Sequence, residues 1–439
     1  MQVFDEMKEL MNEVREAKES LASFRKKRNR CRDYTYGRQW NDIIEVDGRK
    51  ITEYEYILKE GNVPLKNNLI RRIVRNVLGV FRDKLSDIMK EEYGGETAKT
   101  VSANSLEELY SRTLEEFLIS GMAVHRKHFG YRDGVKGVWT DIVSPGNFFF
   151  NTDFRDVRGC DLSMAGQTHL VGFREWCRFF VKSQEEYKLA AKVFENGKRL
   201  RITEVWRKEP VARYIIHDRE RGYIRKVDAK SYRGDFPKRW VMEETWRYYF
   251  LTDEGRVVAE GDSPYINGSH PYVVKCYPFL DGEIQSLVGD MIDQQRYTNR
   301  LITLYDWVIR ASAKGVLLIP EGAVEPEKLQ EVADQWGRFN GVIMYRGNAG
   351  LPEPKQISGN VSNLGIGELL EIQLKMMEDV SGVNGVLQGN ASNVNTSGEL
   401  YKSQTANALY SLQDLFASYR TFIRDCAAKD RELLGQINV

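Results

Sequence analysis

The sequence predicts an α+β protein, mainly helical, with helices at both ends and a strand-rich middle. Three observations carry that reading. Apolar residues recur every three to four positions near the termini and run in short, turn-bounded stretches between them. Prolines crowd the middle, since Pro64 alone precedes Pro145 and none follows Pro354, and proline interrupts helices and central strands alike. Turn chemistry such as Arg132-Asp133-Gly134 and Ser144-Pro145-Gly146 cuts that middle into short runs.

At 439 residues and 50.8 kDa the chain has room for two or three domains. Hydrophobic residues make up 42% and charged residues 29%, with a mean hydropathy of −0.49, which is an ordinary globular composition and excludes disorder and fibres. No apolar run approaches the ~18 residues of a membrane span. Met1 to Glu6 lacks a basic region followed by an apolar stretch, so no secretory signal is expected. The cysteines at 31, 160, 177, 276 and 426 are odd in number and scattered, which fits free thiols in a reducing compartment and argues against disulfides or a zinc site. Lys plus Arg total 64 against 63 Asp plus Glu. Tight phosphate binding needs a basic excess, so any DNA contact should be loose or local.

The elements follow in order. Val3, Phe4, Met7, Leu10, Met11, Val14, Leu21 and Phe24 form a helical stripe that runs into the basic cluster Arg25-Lys26-Lys27-Arg28. That cluster reads either as a solvated helix end or as a docking patch for an acidic partner or DNA phosphates. A second helix follows Pro64, with Leu69, Ile70, Ile73, Val74, Val77, Phe81 and Leu85 on one face. A third opens at Ser105 and Glu108, which have capping-box spacing. Strands are expected over Ala123–Tyr131, Gly137–Val143 and Asn147–Phe150. Helices at Phe173–Phe180 and Gln184–Phe194, the latter capped by Ser183 and Glu186, precede aromatic strands at Leu200–Trp206, Val211–Ile216, Trp240–Phe250 and Tyr272–Tyr277. From Ile284 to Ile309 a long apolar stripe predicts a helix of ~45 Å. A small unit follows: strand Val316–Ile319, helix Pro326–Phe339, strand Gly341–Tyr345. A further helix carries Ile366, Leu369, Leu370, Met376, Met377 and Val380. Residues 381 to 395 contain no charge, and Thr396 to Glu399 open a last helix through Leu412, Leu415, Tyr419, Phe422 and Ile423.

Catalytic patterns are missing: there is no Walker loop, dinucleotide fingerprint or nucleophile elbow. His125 and His128 have a metal-like spacing for a helix but fall in a strand pattern. Asp290 and Asp293 have the spacing of a divalent-metal pair on a helix, yet Arg296 and Arg300 beyond them favour a salt-bridged face. No metal and no cofactor is expected. Long amphipathic helices joined by polar loops need neighbours to bury their stripes, which a ring of identical subunits supplies.

At this point the chain resembles the portal proteins of tailed bacteriophages, the short-tailed type in particular. The residues carrying the likeness are Tyr36-Gly37-Arg38-Gln39-Trp40, Leu65-Lys66-Asn67-Asn68-Leu69, and Ile119-Ser120-Gly121-Met122-Ala123 leading to Ser144-Pro145-Gly146-Asn147-Phe148. To these add Asp290 through Asn299, running into Ala311-Ser312-Ala313-Lys314-Gly315, and Thr396-Ser397-Gly398-Glu399. The resemblance implies a wing over 1–280, a first stem helix in 281–312, a clip over 313–360, a second stem helix in 361–380, a tunnel loop over 381–395 and a long C-terminal helix over 396–439, with the crown short or absent.

The same resemblance implies a ring, usually of twelve subunits, at one vertex of the capsid in the virion, assembled in the host cytoplasm. Double-stranded DNA is packaged through it by the large terminase subunit and later ejected into the tail. Head-completion, adaptor and tail proteins, the major capsid protein and scaffolding protein are the other implied partners; no membrane is. Asn384, Gln388, Asn390, Asn393 and Asn395 would face DNA with neutral amides, which hold phosphates weakly and let DNA slide. Gly382, Gly385 and Gly389 would be hinges. Asp290, Asp293, Arg296 and Arg300 fall on the stem, and Glu327, Lys328, Glu331 and Asp334 on the clip, where they could meet a terminase or adaptor. Two other classes remain open from the residues alone: a non-viral oligomeric scaffold or adaptor, and a metal-dependent nuclease built on Asp290 and Asp293.

Overall fold

A computed structural model of the chain describes residues 2–132, 134–218, 222–229, 231–234, 236–265, 267–314, 316–319, 326–337, 355–357, 365–383 and 409–436. The chain opens with helices α1 (Gln2–Ser20) and α2 (Ala22–Thr35), a hairpin of β1 (Ile43–Val46) and β2 (Arg49–Thr52), and a short helix α3 (Glu53–Lys59). Helices α4 (Leu69–Glu92), α5 (Ala98–Asn104) and α6 (Leu106–Ser120) lead to β3 (Met122–Arg132), β4 (Val135–Ile142), β5 (Phe148–Phe150) and β6 (Met164–Val171). Then come α7 (Phe173–Phe180), α8 (Gln184–Val193), β7 (Leu200–Asp218), β8 (Tyr223–Asp228), β9 (Lys238–Thr252), β10 (Val257–Asp262), β11 (Tyr272–Cys276), β12 (Phe279–Leu280) and β13 (Glu283–Ile284). The rest is α9 (Leu287–Lys314), β14 (Val316–Leu318), α10 (Leu329–Gly337), β15 (Lys355–Ile357), α11 (Ile366–Ser381) and α12 (Gln413–Gly435). This is the expected α+β class with helix predominating.

Two compact units result. The first holds residues 1–32, 73–290 and 385–439; the second holds 33–72 and 291–384.

In the first unit a six-stranded antiparallel sheet has the order β10-β9-β7-β6-β5, with β8 on the outer half of β7, and a smaller sheet has the order β11-β3-β4. The N-terminal stripe packs here: Leu10, Val14 and Leu21 join Phe148, Phe149, Phe150, Trp206, Tyr272 and Leu433 in one core. Burying each such side chain contributes about 1.5–3 kcal/mol. Helix α12 turns Tyr419, Phe422, Cys426 and Leu433 inward, all 0% exposed, at the spacing of one helical face. The helix expected to run on from Thr396 begins, among the described residues, at Leu409 and is interrupted by a turn at Ser411 and Leu412; residues 396–408 lie outside the described residues.

Three local expectations are corrected. Ser105 does not cap α6: its backbone is left-handed at φ +50°, and Glu108 is held by Arg82 and Arg112 at 2.7 Å each instead of reaching back. At Ser183 only half of the box forms: the Glu186 N–H donates to Ser183 Oγ at 3.2 Å, while the Glu186 carboxylate takes the Lys182 N–H and not that of Ser183. The strands expected over 200–206 and 211–216 are one strand, continuous through Pro210. The Lys208 N–H donates to Ser163 O, so the nitrogen two residues on faces the same way. There β6 has already ended, opposite Arg207, and β8 has not begun, opposite Arg213. A missing N–H costs nothing in that gap.

In the second unit the predicted long helix is α9, 28 residues and about 42 Å. β14 pairs with β15, a strand the sequence did not announce. Gly341–Tyr345 lies outside the described residues.

Candidate assembly surface

The second unit is locked from within by amides. Gln295 of α9 accepts from the backbone N–H groups of Leu69 (2.9 Å) and Ile70 (3.2 Å), so it caps α4 in place of a local residue. Its own amide N–H groups donate to Asn67 O at 2.7 Å and to Asn299 Oδ1 at 2.9 Å. Asn299 accepts from the Asn67 N–H and donates to Gln39 Oε1 at 2.7 Å, and Gln39 donates to Tyr34 O at 2.9 Å. Gln39, Gln295 and Asn299 are 0–1% exposed. A buried amide is tolerated only when its donors and acceptors are met, and here each side chain both gives and takes. Three motifs far apart in sequence, Tyr36–Trp40, Leu65–Leu69 and Asp290–Asn299, thus meet in one network.

Beside it Glu53, the first residue of α3, is 3% exposed and accepts from both Arg296 and Arg300, the latter at 2.6 Å. α3 itself is fixed by a capping box between Thr52 and Glu55. Trp40, Tyr56, Leu304 and Trp307, with Glu53 and Arg300, line a cavity of about 430 Å³. Arg296 and Arg300 therefore work inside the unit. Asp290 and Asp293 are both exposed, and partial burial raises the Asp290 carboxyl above its ordinary value. Among the described residues no group of three or more His, Cys, Asp or Glu could hold a metal ion.

Two helices of this unit also expose apolar side chains. On α11, Leu369, Ile372, Met376 and Val380 fall on one helical face and are 41–48% exposed. On α9, Tyr297, Leu304, Tyr305, Trp307 and Ile309 are 41–47% exposed. A row of exposed apolar side chains along one helical face, as on α11, suits a contact with another surface. Glu327 and Lys328, in the turn just before α10, and Glu331 and Asp334 on α10 are exposed, while Val332 is buried. Gly382 ends α11 in the left-handed region at φ +67°, a conformation that suits glycine at a helix end. Asn384, Gly385, Gln388, Gly389, Asn390, Asn393 and Asn395 lie outside the described residues.

In the first unit the remaining motifs are structural. Gly121 joins α6 to β3 at φ +77°, and a Cβ there would stand 1.6 Å from Gln285 O; only glycine fits. The turn at Ser144–Phe148 is held by the basic cluster. Arg25 donates to Gly146 O and Phe148 O, and Arg28, buried, makes a two-pronged ion pair with Glu116 and reaches Ser144 Oγ. The guanidiniums of Arg25 and Arg28 are thus engaged inside the unit, while Lys26 and Lys27 are exposed.

Charge is also buried here. Lys127 and Asp430, both 0% exposed, pair at 2.8 Å, and Lys127 also donates to Thr140 Oγ1. Tyr93 donates to Asp430 at 3.1 Å and shares a hydrogen bond with Tyr110. Burial raises the Asp430 carboxyl, outweighing the pull of Lys127. Burial would raise Glu204 too, but Arg126, His169 and the Trp206 N–H together hold it below the usual carboxylate range. His125 is buried against Thr113 and His128 sits 3.6 Å from Asp141, on opposite faces of β3. They do not converge on a metal. All five cysteines are free.

Among the described residues the side-chain chemistry set out above holds the fold, and α9 and α11 also expose apolar side chains. The model of the phage P22-like portal protein family matches residues 11–434 of 439, and the chain belongs to that family. A comparison with curated proteins returned no match. No helix among the described residues is long and apolar enough to cross a membrane.

Proposed function

We propose that copies of this chain form a ring at one vertex of the phage capsid, a channel through which terminase drives double-stranded DNA inward and through which the DNA later leaves toward the tail. Family membership and one observation support the reading: α9 and α11 each carry an apolar face exposed to water. A single copy leaves those faces wet, and a neighbour in a ring would cover them. In this reading α9 and α11 are the stem helices, and the residues from 313 to 360 are the clip. Glu327, Lys328, Glu331 and Asp334 would present charge to the motor or an adaptor. The neutral run from 381 to 395 would meet DNA with amides, and Lys26 and Lys27 would be open to capsid or scaffolding protein.

Negative-stain images of the purified chain test this. Annular particles are expected, and Ile372→Asp with Met376→Asp should convert them to monomers that keep their helical content. A parent protein that stays monomeric at high concentration would overturn the proposal. Asn390→Lys with Asn393→Lys should leave rings intact and lower packaging yield; an unchanged yield would remove the loop from the DNA path.

A further inference from the structure

Charge is unevenly spread over this nearly neutral chain. Residues 211–242 hold nine Lys or Arg against four Asp or Glu, a net +5, so the other 407 residues carry −4. The described residues of this stretch form the outer half of β7, β8 and the first part of β9, a three-stranded arm that continues past the end of β6; Arg219, Arg221 and Lys230 lie outside the described residues. Register places its cations. Ile215 lies between Arg239 and Lys226, and on the opposite face Ile216 lies between Lys238 and Arg225. All four basic residues are exposed. Glu243 takes Lys226 and, at 3.8 Å, Arg213, and Lys238 stands over Tyr214 and Tyr232. Arg239 has no ion pair among the described residues. Ile224, Trp240 and Met242 are 54–69% exposed on the same arm.

We infer that this arm is a second, external DNA-binding surface that grips the phosphate backbone of duplex DNA independently of any channel. Cations flanking the middle strand stand about 10 Å apart, within the ~6–12 Å widths of the duplex grooves. They occupy both faces of an arm, a layout that suits a long polyanion running past it and gives an acidic peptide no single groove to lie in. The portal reading enters only in the choice of DNA as the polyanion.

Relaxed, covalently closed circular DNA tests this on the full chain, because a closed circle cannot thread a ring. Affinity for the circle should fall steeply with salt between about 50 and 200 mM. Lys226→Gln with Arg239→Gln, which share one face, should weaken binding about tenfold at the lower salt and reduce the log–log salt slope by about 2. Lys26→Gln with Lys27→Gln should change neither. Far-UV circular dichroism and particle images of the arm variant should match the parent. Equal binding by parent and arm variant would overturn the inference and reduce the charges to guards of the edge strand β8. Displacement of the circle by polyglutamate at matched charge would overturn it in favour of an acidic protein. Rings that pass linear DNA but ignore circles would sink the arm alone, and protein that forms no rings yet binds circles would sink the channel alone.

Discussion

In the second unit the largest buried polar network is neutral: Gln39, Gln295, Asn299 and backbone groups satisfy one another without a formal charge, beside the single ionic cluster of Glu53 with Arg296 and Arg300. In the first unit the equivalent depth holds ions, with Lys127 against Asp430 and Arg126 against Glu204. The histidines divide the same way, since all five lie in the first unit. Both devices fix one packing arrangement. An amide network keeps its strength as pH changes, whereas an ionic one leaves a stranded charge when a partner is lost or titrated. The amide network of the unit bearing the exposed apolar side chains should therefore ignore pH.

Acid should break the comparison most strongly. Burial lowers His125, His128 (to about 4) and His270 (to about 3). Below their ordinary value near 6.5 the unfolded chain binds protons that the folded one refuses, so stability falls as pH falls toward those values. Each group contributes about 1.4 kcal/mol per pH unit, and the raised Asp430 carboxyl acts in the opposite direction. Hydrogen exchange at pH 7 and pH 5 should show the first unit opening and the second unchanged; equal loss in both would refute the division. Asp430→Ala should follow in size. It strands the Lys127 ammonium and should cost about 3–5 kcal/mol in urea unfolding, while Lys127→Met with Asp430→Leu should be nearly neutral. Gln295→Ala leaves the Ile70 N–H without its partner and reduces the Leu69 N–H and Asn67 O to the 2.9 Å bond they share, and should cost about 1–3 kcal/mol, by the same amount at pH 5 and pH 7. Lys90→Ala removes a 3.4 Å pair with Asp87 that is mostly in water, and its unfolding midpoint should not move measurably.

Much of the fold was legible because it rests on local periodicity. The stripes of α4, α9 and α11 and the bounds of α7 follow from spacing alone. What escaped depends on partners far away. β15 is three residues long and becomes a strand only because β14 lies beside it. Helix α3 reads as an alternating Glu-Tyr-Glu-Tyr run, and the signal that could have found it, Thr52 three before Glu55, went unused. Ser105 carries the same signal and is not a cap, since Glu108 has better partners in two arginines. The network followed the same rule. Gln39, Asn67, Gln295 and Asn299 all stand in motifs the sequence singled out, but Asn67 and Gln295 are 228 residues apart. No spacing rule reaches that far. Arg25 and Arg28 look like surface charge until the turn at Ser144 arrives beneath them.

Pro210 carries a last consequence. Between the end of β6 and the start of β8, the flank of β7 is open to any passing strand. Proline removes the amide hydrogen that such a visitor would need there. In a particle where many copies crowd shoulder to shoulder, that one substitution for an ordinary residue keeps sheets from zipping together and leaves helices to choose the neighbour.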